Sequence, residues 1–163
     1  MAVRRYSDRE NAAMVKTRYG LEIRSATVAD AAGISELLNA AGHAISPRAI
    51  AERLDAAHPR PGATLLAQEW GPPSGLVMVH WYWTIEADQA TAQITTLLVG
   101  VDERRRGIGR LLVKAAAQAA RVAGCGTLQV LVTPEDQTLR SFCAATGFVE
   151  AGGCFVRPLR KKG

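Results

Sequence analysis

Apolar and polar positions alternate along this chain in segments whose period changes between strand-like and helix-like spacing. Leu21–Arg24 alternates residue by residue and predicts a first strand. Thr27 and Asp30 are spaced like a capping box and predict that a helix begins there and ends near Ala41-Gly42. The apolar face of this helix consists of Ala31, Ile34, Leu37 and Leu38.

The middle of the chain predicts a second helix followed by three strands. Ser46 and Pro47 are typical of a helix start, and the prolines beyond Ala57 end the helix. Turns rich in glycine, proline or polar residues then separate apolar, β-branched segments. The predicted strands are Thr64–Trp70, Leu76–Ile85 and Ala90–Val99.

The last third of the chain alternates between helices and strands. Its elements are a helix over Leu111–Ala123, a strand over Thr127–Val132 and a helix over Gln137–Ala145. Because strand, helix and strand in succession form a right-handed crossover, Thr127–Val132 is expected to run parallel to Ile94–Val99. Two short strands are expected around Val149 and Phe155.

A glycine turn with three arginines precedes the helix of the crossover. Its sequence is Arg104-Arg105-Arg106-Gly107-Ile108-Gly109. The first N–H groups of a helix lack intrahelical partners and carry partial positive charge, and glycine lets an anion approach the backbone closely. Because arginine adds charge-assisted donors, the turn is suited to a diphosphate.

Two common phosphate motifs do not fit this turn. A dinucleotide fingerprint would need a third glycine where Leu112 stands, and no G-x-x-x-x-G-K-S/T string is present. What remains is R-x-x-G-x-G, a short pattern that an ordinary turn with solvated arginines would also satisfy.

The turn, taken together with Leu97–Leu112 and Ser141–Phe148, resembles the coenzyme-binding core of the GNAT superfamily of N-acetyltransferases. The resemblance implies an α/β, GNAT-like fold: a mixed, mostly antiparallel sheet with splayed parallel strands 4 and 5, flanked by helices. It implies acetyl transfer from acetyl-CoA to a primary amine by direct attack in a ternary complex, without a metal. The acceptor is then a small-molecule or protein amine.

The resemblance also implies which residues contact the coenzyme. In the family, the pantetheine arm lies between the splayed strands and the pyrophosphate lies on the glycine turn. A backbone N–H near Leu98 or Val99 is expected to polarise the thioester carbonyl, although both residues also suit an ordinary core strand. The implied contacts are Leu98, Val99, Val101, Arg104, Arg105, Arg106, Gly107, Ile108, Gly109, Arg110 and Asp136.

The catalytic acid and base are where the sequence departs from the family. Many members carry a tyrosine proton donor in the last helix, where this chain has Cys143, which either donates a proton as a thiol or only packs. Strand positions that hold a glutamate base in some members correspond to Gln93 and Leu131. His80 is the candidate base, with a structural histidine or water-relayed deprotonation as alternatives.

Three tryptophans form a further cluster of interest. Trp70, Trp81 and Trp83 are expected to pack in the core. The alternative is one wall of an acceptor pocket, in which indole faces hold a cationic amine.

Length and composition predict one soluble globular domain over residues 21–163, preceded by an arm over residues 1–20 that can be mobile. Apolar residues make up 48% and charged residues 21% of the 163 positions. No apolar run approaches about 18 residues, and no apolar leader follows Met1, so we expect a cytoplasmic protein without membrane contact.

The cysteines and the net charge bear on whether the protein binds zinc or nucleic acid. Cys125, Cys143 and Cys154 form no C-x-x-C pair, which favours reduced thiols without a zinc site. The net charge of +5 invites a nucleic-acid partner, but the glycine turn and the tail contain most of that excess, so none is expected. The alternative function is a catalytically silent acetyl-CoA-binding or CoA-binding sensor or partner module. Many relatives are dimers, so a homodimer stays open.

Overall fold

The computed structural model describes residues 15–16, 20–57 and 60–152. These residues fall into two compact units that divide between Leu131 and Val132. Most of the predicted arm, the predicted strand around Phe155, Cys154 and the basic tail lie outside the described residues. A single domain over residues 21–163 stays a prediction.

The first unit contains a sheet and three α-helices in its described part. The strands are β1 (Val15–Lys16), β2 (Glu22–Ser25), β3 (Gly62–Gln68), β4 (Gly75–Tyr82), β5 (Ala90–Val99) and β6 (Cys125–Val130). The helices are α1 (Ala31–Ala40), α2 (Pro47–Ala57) and α3 (Ile108–Val122). Single 3-10 turns lie at Val28–Asp30 and Val101–Glu103. The second unit contains α4 (Gln137–Ala145).

The sheet follows chain order from β1 to β6. Every neighbouring pair is antiparallel except β5 and β6, which run parallel with Ala90 opposite Cys125 and Ile94 opposite Val130. This confirms the predicted mixed, mostly antiparallel sheet. An additional strand that the sequence did not predict, β1, pairs with β2 at one edge of the sheet. The strands predicted as the fourth and fifth are therefore β5 and β6.

One face of the sheet packs against α1 and α2. Ile34 and Leu37 of α1 and Ile50 of α2 form a buried cluster with Leu66 and Leu76 of the sheet. Because the apolar residues of α1 recur at helical spacing, their burial confirms the predicted helix face.

The opposite face of the sheet packs against α3. A Cβ atom at Gly75 would lie only 2.9 Å from Leu112 Cδ1 and 3.2 Å from Ile108 Cγ2. Since side chains alternate between faces along a strand, Gly75 and Leu76 point to opposite sides of the sheet. A glycine at this position therefore lets the first turns of α3 lie close to β4.

Most predicted boundaries agree with the structure to within a few residues. The predicted bounds of β5 and α4 match, and Ser46 caps α2 by accepting from Ala49 N–H at 3.2 Å. The helix α3 begins three residues earlier than predicted, and β6 spans Cys125–Val130 rather than Thr127–Val132. The strand expected around Val149 is wrong, since no strand is present there.

The prediction that the tryptophans pack in the core is wrong for two of them. Trp70 is 85% and Trp83 is 61% exposed, whereas Trp81 is half-buried. The reason is their place in the sheet: Trp70 follows β3 in a turn, and Trp83 follows the last residue of β4. None of the helices in the described ranges is long and apolar enough to cross a bilayer.

A bidentate ion pair joins β2 to the entry of α1. The guanidinium of Arg24 donates to Asp30 Oδ1 at 2.6 Å and to Oδ2 at 2.9 Å. Asp30 also accepts from Thr27 N–H at 2.8 Å, which agrees with the predicted capping box. The arginine, followed by these Thr27 donors, outweighs desolvation and lowers the pKa of Asp30 to about 2.

We expect Asp30→Asn to remove a pH-dependent part of the stability. Because the folded pKa lies below the ordinary value of 3.8, the pair stabilises the fold above about pH 5 and loses its effect as pH falls toward 2. The difference in unfolding free energy between wild type and the variant, measured by urea denaturation, should be largest at neutral pH and shrink in acid. Glu52→Gln, which breaks an exposed pair with Arg48, should change stability little. A pH-independent difference for Asp30→Asn would contradict the assignment.

Candidate active site

The pairing between β5 and β6 stops halfway along β5. The parallel register ends at Ile94 and Val130, after which Leu131 N–H donates to the Ile94 carbonyl at 3.2 Å. Thr96 then pairs with Met78 while Ile94 pairs with Val79, so Thr95 is the extra residue of a β-bulge. From Thr96 to Val99, β5 pairs only with β4 within the described residues, which leaves one backbone edge open.

Hydrogen-bond directions decide which amides face this open edge. Gly100 N–H donates to the Ser74 carbonyl at 2.9 Å, on the β4 side. Because the backbone groups of successive strand residues point in opposite directions, Leu98 also points toward β4, and Val99 points toward the open edge. Of the two amides that the sequence leaves as alternatives, the register favours Val99.

The glycine turn lies directly beyond this edge and leads into α3. Gly107 precedes the helix with a φ of 78°, and Arg105 has a φ of 64°, an uncommon value for a residue with a side chain. The Leu111 N–H donates to the Gly107 carbonyl at 3.2 Å, so the helix does not use the amides of Ile108, Gly109 and Arg110. A Cβ at Gly107 would meet nothing within 4 Å. The position of a Cβ on Gly107 is therefore open.

The arginines of the turn differ in what they contact. Arg106 donates to Glu69 Oε2 at 2.8 Å and forms a second ion pair with Glu103. These carboxylates, Glu69 first, raise the pKa of the Arg106 guanidinium. Arg104, Arg105 and Arg110 are exposed and form no ion pair within the described part of the chain. The motif in the sequence therefore identified the arginines of the turn, but not the two glutamates that bind Arg106.

The remaining predicted coenzyme contacts occupy different environments. Val101 is exposed in the 3-10 turn after β5, and the Leu98 side chain packs against the cluster beside α1 and α2. Asp136 lies in the second unit, where its Oδ1 accepts from Leu139 N–H at 2.9 Å and caps α4. Its coenzyme contact stays a prediction.

A row of polar side chains without a carboxylate crosses β4, β5 and β6. His80 pairs with Gln93, and Gln93 pairs with Gln129, so all three point to one face of the sheet. The Tyr82 hydroxyl donates to Gln129 Oε1 at 3.3 Å on the same face. This polar row (His80, Tyr82, Gln93 and Gln129) was not predicted as a unit, because cross-strand register is not visible in the sequence.

His80 is half-buried beside a glycine that leaves room for its ring. A Cβ at Gly62 would lie 3.3 Å from His80 Nδ1. Leu131, one of the two positions that correspond to a glutamate base, is 50% exposed, and Gln93 is half-buried. Of His80, Gln93 and Leu131, only His80 has a side chain that can act as a base.

Cys143 lies in α4 of the second unit and is buried. Burial, and to a smaller degree the charge of Asp136, raises the pKa of its thiol. The thiol is therefore protonated at neutral pH, which is the form that a proton donor needs. Within the described residues, no group of three or more histidine, cysteine or acidic side chains is placed to hold a metal ion.

Comparison with known proteins identifies the class that this fold and site define. The profile of the acetyltransferase (GNAT) family matches residues 32–148. The chain therefore belongs to that family and is an acetyltransferase. No curated protein sequence matches it significantly.

Solved structures share the fold at low sequence identity. An aminoglycoside N-acetyltransferase in complex with CoA superposes with a TM-score of 0.76 at 16% identity, over 90% of this chain and 99% of that one. An aminoglycoside acetyltransferase from an uncultured soil sample, in complex with sisomicin, gives 0.70 at 17%, over 86% and 97%. An acetyltransferase from Trypanosoma brucei gives 0.72 at 20%, over 85% and 99%.

We expect Gly107→Val to weaken CoA binding at least about tenfold, the cost of losing one or two charge-assisted hydrogen bonds. Valine tolerates a positive φ poorly, so the substitution should distort the turn that leads into α3. Calorimetric titration with CoA measures the effect. Gly124→Val is the matched control, because Gly124 has a φ of 85° and open space at the other end of the same helix. Equal affinity in the two variants would remove the turn from the binding site.

Proposed function

We propose that this protein transfers an acetyl group from acetyl-CoA to a primary amine by direct attack in a ternary complex. One observation carries the proposal: an open β5 edge that leads to the free N-terminus of α3 through a left-handed glycine. An extended pantetheine amide can hydrogen-bond to such an edge as a strand does, and a pyrophosphate suits the helix N-terminus.

The hydrogen-bond donors at the glycine turn suit the pyrophosphate of the coenzyme. The amides of Ile108, Gly109 and Arg110 are not used by the helix, and Arg104 and Arg105 add positive charge at the same turn. These groups match a diphosphate in both sign and donor count. When bound, acetyl-CoA supplies the activated acetyl group, and the chain's own residues orient it.

Val99 is our proposed donor to the thioester carbonyl. Its N–H points to the open edge of β5, beyond the last pair with β6. A fixed N–H at this position stabilises the negative charge that develops on the carbonyl oxygen during attack. A backbone donor of this kind does not depend on side-chain identity.

Proton transfer is assigned to two side chains. His80 is the proposed base that accepts a proton from the attacking amine, because the polar row contains no carboxylate. Cys143 is the proposed acid, since it occupies the position of the family's tyrosine and its thiol is protonated at neutral pH.

The acceptor is proposed to be a small-molecule amine. Two structures with the same fold are aminoglycoside acetyltransferases, which makes aminoglycosides a sensible first set of amines. The polar row contains no carboxylate, so it would recognise an amine through hydrogen bonds rather than through an ion pair. Protein amines are the second set.

The defining experiment measures CoA release from acetyl-CoA in the presence of an amine panel. We expect amine-dependent release, with Gly107→Val reduced in proportion to its weaker CoA binding. Binding of CoA without turnover by any amine would favour the silent sensor or partner module. Binding of nucleic acid with a steep salt dependence, and none of CoA, would overturn both.

Replacing either proton-transfer residue should lower turnover without changing affinity for CoA. We expect His80→Gln and Cys143→Ala to reduce kcat about a hundredfold each, the lower range for general acid–base catalysis. Steady-state kinetics and calorimetry measure the two quantities. Cys125→Ala, at the half-buried free cysteine of β6, is the matched control and should match wild type. Unchanged kcat in Cys143→Ala would leave that thiol a packing role only.

A further inference from the structure

Arg106 is held by carboxylates from two separate parts of the chain. Its Nη2 donates to Glu69, which follows β3, at 2.8 Å, and its Nη1 contacts Glu103 in the 3-10 turn before the glycine turn. Both acidic side chains are half-buried, with 25% and 33% exposure. We call Glu69, Arg106 and Glu103 the arginine clamp.

The clamp lies at a turn with an uncommon backbone conformation. Arg106 is flanked by Arg105 and Gly107, both of which have left-handed φ values. Such a conformation persists only where surrounding contacts hold it. Glu69 follows the last residue of β3, which pairs with β4 over Gly62–Ala67 and with β2 over Leu65–Gln68, so the clamp ties the turn to a strand that has partners on both sides.

The two carboxylates also change what Arg106 can bind. Its charge is already compensated, and a phosphate would have to displace charge-assisted hydrogen bonds while approaching two anions. Arg104, Arg105 and Arg110 have no such partners in the described ranges and supply the free positive charge at the turn.

We propose that Arg106 is a positioning residue, which the clamp holds so that the amides at the start of α3 point toward the coenzyme pyrophosphate. The inference rests on the proposed function, since it assumes that CoA binds at this turn. It assigns a role to Glu69, a residue that is 37 positions from Arg106 in the sequence.

Glu69→Gln distinguishes this role from direct phosphate binding, because the two roles predict opposite changes in the affinity for CoA. If the clamp positions the turn, the variant should bind CoA about threefold to tenfold more weakly by calorimetry, since a charge-assisted bond becomes a neutral one. If Arg106 were a phosphate ligand, the variant would release it and remove a nearby anion, so CoA would bind equally well or more tightly. That result would overturn the proposal.

The specificity of the effect is checked with a shorter substrate. Acetyl-pantetheine lacks the pyrophosphate, so its KM should be unchanged in Glu69→Gln while the KM for acetyl-CoA rises. A merely structural role would raise both values and would overturn the proposal. Glu52→Gln, the same change in an exposed pair with Arg48, should leave both at wild-type values.

A double-variant cycle completes the test. If Glu69 acts through Arg106, Glu69→Gln combined with Arg106→Gln should bind CoA no more weakly than Arg106→Gln alone. Additive losses would overturn the clamp. Wild type that fails to bind CoA would instead overturn the proposed function, and this inference with it, whereas wild-type binding with an unaffected Glu69→Gln overturns the inference alone.

Discussion

The end of pairing between β5 and β6 at Ile94 is the constraint on which the rest of the site depends. Backbone N–H and carbonyl groups need hydrogen-bond partners, and β5 continues for five residues after its partner has ended. The bulge at Thr95 lies at this point and reorients the strand. An edge in the middle of the sheet that has no partner among the described residues can take an extended ligand as a further strand.

This opening is useful only if the surrounding sheet holds β5 in place. The α1 and α2 cluster covers one face near Leu66 and Leu76, while α3 lies close to the other face over Gly75. The contact at Gly75 also places the first turns of α3 beside β4, because Ile108 and Leu112 both approach it. One packing contact therefore positions the open edge and the helix N-terminus relative to each other, and the proposed pantetheine and pyrophosphate sites follow from it.

Local signals in the sequence were sufficient to predict most elements. The apolar spacing in α1, the Ser46-Pro47 start of α2 and the β-branched run of β5 each depend on near neighbours. The predicted start of α3 lies three residues too late. Both glycines of the turn suggest irregular backbone, whereas only Gly107 has a left-handed φ. The bulge at Thr95, the polar row and the contact of Glu69 with Arg106 depend on register and on distant pairs, which a single sequence does not contain.

In the proposed function, backbone groups bind the acetyl donor, whereas side chains bind the amine acceptor. A coenzyme held by the β5 edge and the α3 amides contacts backbone, so glycine placement and strand register are enough to define its site. Side chains elsewhere can then differ between family members without loss of the fold. Cys143 and Gln93 are examples, since many members carry a tyrosine at the first position and some carry a glutamate at the second. Under the proposed function, acceptor choice would depend on side chains such as the polar row, through the geometry of their hydrogen bonds. Because fold similarity at 16–20% identity does not extend to those side chains, it gives the architecture of this enzyme but not its acceptor.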